Sequence, residues 1–86
     1  MPQRAFGDLV PELRLVAVEA FQRACGFVER DPVLTGQDRE FLKGLMSERI
    51  RRDVNSGEHD IIRLANAAIG RVRQLAQVNG KFRAAA

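Results

Sequence analysis

Apolar residues return every three or four positions along three successive stretches of this chain, and no stretch alternates apolar with polar over the length of a strand. That periodicity constrains the fold more than any other feature. An amphipathic helix buries one stripe and needs neighbours to cover it, so three such stripes in 86 residues predict an all-α protein. The expected architecture is a three-helix bundle, or a helical hairpin plus a third helix, with dimerisation as a second way to complete the core.

The first stretch, roughly Asp8 to Arg30, gathers Leu9, Leu13, Val16, Ala17, Ala20, Phe21, Ala24, Phe27 and Val28 on one side of a helical wheel. Val10 and Cys25 widen that side, while Glu12, Glu19, Gln22, Arg23 and Glu29 lie opposite. Pro11 suits a first turn, where its missing N–H is not needed, and Asp31-Pro32 ends the helix. So wide an apolar arc predicts a central element covered by two others, from the same chain or from a second copy.

A second helix is expected over 36–54, capped by Thr35 with Asp38 reaching back, and carrying Phe41, Leu42, Leu45, Met46 and Ile50 as its stripe. The third is expected over 57–79, with Ser56 as N-cap and Glu58 and Asp60 in its first turn. Its apolar face is Ile61, Ile62, Leu64, Ala65, Ala68, Ile69, Val72, Leu75 and Ala76. Gly80 predicts the stop, which leaves 80–86 as a frayed tail. No linker or repeat divides the chain, so residues 1–86 read as one helical domain.

Trp and Tyr are absent, which makes the core aliphatic apart from Phe. A lone cysteine, Cys25, cannot form an intramolecular disulfide and fits a reducing compartment. Asp8, Pro11, Glu12 and Arg14 interrupt the apolar run at the start, and no stretch approaches the ~20 apolar residues of a membrane span. The expectation is a soluble cytoplasmic protein with no membrane partner.

Little in the sequence points to catalysis. His59 is the only imidazole and HExxH spacing is absent, so it reads as a surface residue at a helix end. Cys25, at the edge of an apolar face, reads as core filler. Gly26, Gly44 and Gly70 form neither GxGxxG nor GxxxxGK[ST]. The chain is therefore not expected to be an enzyme, and no metal or cofactor is implied.

Charge is more informative. Residues 1–35 carry four bases and five acids, residues 36–86 ten bases and six acids, and beyond Asp60 there are five bases and no acid. The outer face of the third helix, with Arg63, Asn66, Arg73 and Gln77, carries side chains able to read base edges, and Arg51 and Arg52 stand where phosphates can be held. These six residues form the candidate nucleic-acid face. Two features oppose it: Asp53 occupies the position that a helix-turn-helix reserves for a small buried residue, and bases near a helix C-terminus also complement the helix dipole.

Arg49 falls inside the apolar stripe of the second helix, between Leu42 and Met46. It predicts either a pair with Glu19, Glu29 or Asp31, or capture of an anion in a groove. Together with Leu15, Val18 and Met46 it forms the candidate protein interface. The favoured function is thus a small interaction or regulatory module that acts through helix–helix contact with a protein partner or a second copy. The alternative is a nucleic-acid-binding regulator.

Overall fold

The computed structural model describes residues 6–31, 34 and 38–85, with side chains described as far as 75. Three helices follow one another: α1 (Pro11–Arg30), α2 (Arg39–Asn55) and α3 (Ile61–Ala85). Each packs on both others, in a molecule of 46 × 23 × 19 Å. At 1.5 Å per residue the helices span about 30, 25 and 37 Å, so α3 fits only along the long dimension. The fold is a three-helix bundle. α1 and α2 both pack more extensively on α3 than on each other, so the central element is α3 rather than the expected first helix.

The core consists mostly of the predicted stripes. Ala17, Ala20, Phe21, Ala24 and Val28 of α1, Leu42, Met46, Ile50 and Val54 of α2, and Leu64, Ala65, Ala68 and Val72 of α3 are all buried. Phe6, Leu9, Asp31 and Leu34 are buried outside the helices. Phe6 closes the bundle end by setting its ring edge-on to Phe21, 6.0 Å between centroids, and Leu34 pins the connection between α1 and α2. Arg14 holds the Phe6 turn in place by donating to the carbonyls of Gly7 (3.3 Å) and Leu9 (3.1 Å).

The helix starts differ from those expected. α1 begins at Pro11, with Val10 as an N-cap that offers no side-chain acceptor. Asp38 itself caps α2, accepting from the amides of Glu40 (2.9 Å) and Phe41 (3.3 Å); Thr35 lies outside the described residues. α3 begins at Ile61 rather than at 57, because Asp60 accepts from the Arg63 amide (3.0 Å) and its carbonyl from that of Leu64 (2.9 Å). Ser56, expected to open α3, instead closes α2. The Glu58 amide returns to the Asp53 carbonyl (2.9 Å) and the Gly57 amide to that of Val54 (3.0 Å), the paired bonds of a Schellman stop. Gly57 takes φ +105°, a conformation open to glycine at little cost. The helical backbone of α3 also continues through Gly80 to Ala85.

Candidate functional site: a basic groove between the second and third helices

The spacing 45, 48, 49, 52 places Leu45, Glu48, Arg49 and Arg52 along one flank of α2. Arg71 flanks the apolar stripe of α3 on the neighbouring side, between Ala68 and Leu75 in helical spacing. Together these five residues line a mostly polar cleft of about 170 Å³. Arg49 is half-buried there and its Nε donates to Asp53 Oδ2 at 3.0 Å, one turn ahead on the same helix. This corrects the expected partners Glu19, Glu29 and Asp31, which sit on or just beyond α1. The i,i+4 bond occupies one edge of the guanidinium and fixes its plane. Among the described residues neither Arg52 nor Arg71 makes an ion pair, although both are exposed.

The other arginines of the candidate nucleic-acid face are dispersed. Arg51 stands 3.6 Å from Asp8, beside the turn that precedes α1. Arg63 remains largely exposed, 3.8 Å from Glu58, and Asn66 is exposed on the same outer side of α3. Arg73 is committed elsewhere: its Nε and Nη2 donate at 3.0 and 2.9 Å to Oδ2 of Asp31, whose side chain is only 6% exposed. The same guanidinium lies over the Phe27 ring at 4.9 Å. The Gln77 side chain lies outside the described residues. Of the described candidates, Arg51 and Arg73 are thus engaged with carboxylates outside their own helices.

The candidate protein interface also separates. Leu15 is 73% exposed on the outer face of α1, and Val18 is partly buried against the core. Met46 is fully buried, because its turn of α2 faces α1 and α3, and it cannot offer a surface. Arg49 of that set lines the groove between α2 and α3. The sequence reading missed Arg71, whose charge was attributed to the helix dipole; its place at the edge of an apolar stripe, like that of Arg49, was the available signal.

Cys25 is half-buried and packs against the core beside Val28, Leu42 and Met46. Burial pushes its thiol pKa up; Lys43 opposes that rise and Glu29 adds to it. His59 is exposed. Among the described residues no three His, Cys, Asp or Glu side chains converge as a metal site would require, and no helix is long and apolar enough to cross a membrane.

The fold and groove together define a small helical bundle with a basic cleft. Compared with the models of known protein families, with characterised proteins and with solved structures, the chain finds no match.

Proposed function

We propose that this bundle is an interaction module that docks an acidic helical segment of a partner protein along the α2–α3 groove. The observation that carries this reading is the convergence of Arg49, Arg52 and Arg71 on one cleft with a single ion pair among them. Three like charges held together and only partly offset by Glu48 and Asp53 lower the stability of the fold, so the arrangement suits a ligand that brings negative charge. Apolar surface lies beside it. Phe41, 55% exposed, and the half-buried Leu45 precede Arg49 and Arg52 along the same side of α2. An amphipathic helix with an apolar edge and a carboxylate edge is complementary to that row.

The second reading, nucleic-acid binding, is favoured by the exposed Arg63 and Asn66 on α3. A duplex presents phosphates in a repeating row, whereas the unpaired bases of the groove form a single cluster with Glu48 at its rim.

The two separate by titrating labelled acidic amphipathic peptide and labelled random duplex DNA, each at low and at physiological salt. Peptide binding that persists at physiological salt, and falls roughly tenfold when Arg52 or Arg71 becomes Gln, is the expected result. DNA binding with a steep salt slope that depends on Arg63 instead would replace the proposal with the nucleic-acid reading.

A further inference from the structure

The groove holds more donor capacity than a carboxylate can use. Within the groove one guanidinium already serves a carboxylate, as the Arg49 Nε does for Asp53. In the groove three guanidiniums line one cleft; among the described residues two of them make no ion pair and the third is held through its Nε. Counting the lining residues alone, Arg49, Arg52 and Arg71 against Glu48, the local charge is +2. Asp53 lies behind Arg49 and neutralises part of that charge. A tetrahedral oxyanion has three outward oxygens and carries about −1.5 to −2 at neutral pH, a better match in charge and donor number than a planar carboxylate at −1.

We infer that the groove is a phosphoryl site, and that the docking segment carries a phosphorylated side chain which the three guanidiniums clasp. This rests on the acidic-segment reading and sharpens it. Arg49, positioned by Asp53, forms the fixed side of the clasp. Arg52 and Arg71 close on the phosphoryl oxygens from α2 and α3, tying the two helices across the groove. Leu45 provides the apolar floor. Glu48, exposed at the rim, repels the dianion and weakens the site.

The test compares a phosphoserine-containing acidic peptide with its unmodified serine counterpart, with inorganic phosphate and sulfate as small probes. Arginine Nε–Hε NMR signals supply the location. The phosphopeptide is expected to bind roughly tenfold tighter than the serine peptide. Arg52→Gln or Arg71→Gln should erase that difference; both residues are exposed, so neither change threatens the core. Glu48→Gln should tighten binding severalfold. The phosphopeptide advantage should shrink as pH falls below about 6, where the monoester gains its second proton, whereas sulfate shows no such loss.

Equal affinity for the two peptides overturns the phosphoryl inference and leaves the acidic-segment function standing. Binding of neither peptide overturns both. Inorganic phosphate as tight as the phosphopeptide keeps the site but makes its ligand a free anion. Shifts at Arg63 as large as those at Arg52 and Arg71 would mean unspecific screening and end the inference.

Discussion

Arg73 shows how far one side chain can depart from what its sequence neighbours suggest. On the helical wheel it belongs to a polar outer face with Arg63 and Asn66. In the fold its guanidinium seals the end of α1, bonding the buried Asp31 and covering the Phe27 ring. The two residues are 42 apart in sequence, and no local pattern encodes that distance. Phe27, read as a core residue, is 44% exposed and carries the Arg73 guanidinium over its ring. Removing the guanidinium strips a buried carboxylate oxygen of two donated hydrogen bonds. Arg73 is itself half-exposed, which keeps the cost below the ~3–5 kcal/mol of a fully buried pair. Arg73→Ala should therefore destabilise the protein by about 2 kcal/mol, and Arg73→Lys by somewhat less, since lysine keeps the charge but not the fork. Urea denaturation measures both. A loss within about 0.5 kcal/mol of zero for Arg73→Ala would mean that solvent already screens the pair.

At the level of the helix, the existence of all three elements was legible in the apolar spacing while their starting points were not. Each start offers several residues able to cap. Thr35 and Asp38 precede α2; Ser56, Glu58 and Asp60 precede α3. Composition cannot choose among them, because the choice depends on where the preceding helix ends. Gly57 decides it for α3. Its positive φ completes the Schellman stop of α2, which takes Ser56 for that helix and leaves Asp60 to open the next. Asp60→Ala should then cost about 1 kcal/mol, the usual worth of an N-cap. Ser56→Ala should cost only a few tenths, since the exposed Ser56 hydroxyl merely donates to the Arg52 carbonyl at 3.0 Å. Thermal denaturation of the two variants side by side is decisive: the opposite ranking would restore Ser56 as the cap of α3.

For the whole molecule, stability and binding pull the groove in opposite directions. Arg49, Arg52 and Arg71 repel one another within a single cleft, and only Asp53 and Glu48 offset them. Replacing both Arg52 and Arg71 by Gln relieves that repulsion without touching the core. The double variant should therefore unfold at the same temperature as the parent, or up to about 5 °C higher. A phosphoryl site adds a second consequence. An anion that binds only the folded state stabilises it in proportion to the logarithm of its concentration once the site fills, so inorganic phosphate should raise the Tm of the parent chain. Phosphate and sulfate also stabilise most proteins by exclusion from their surfaces, so the informative quantity is the difference between parent and double variant in the same buffer. A phosphate-dependent rise in the parent that exceeds the rise in the variant locates the anion in the groove. Equal rises would assign the whole effect to exclusion, and the three arginines would then stand as a cluster of repelling charges that no phosphate fills.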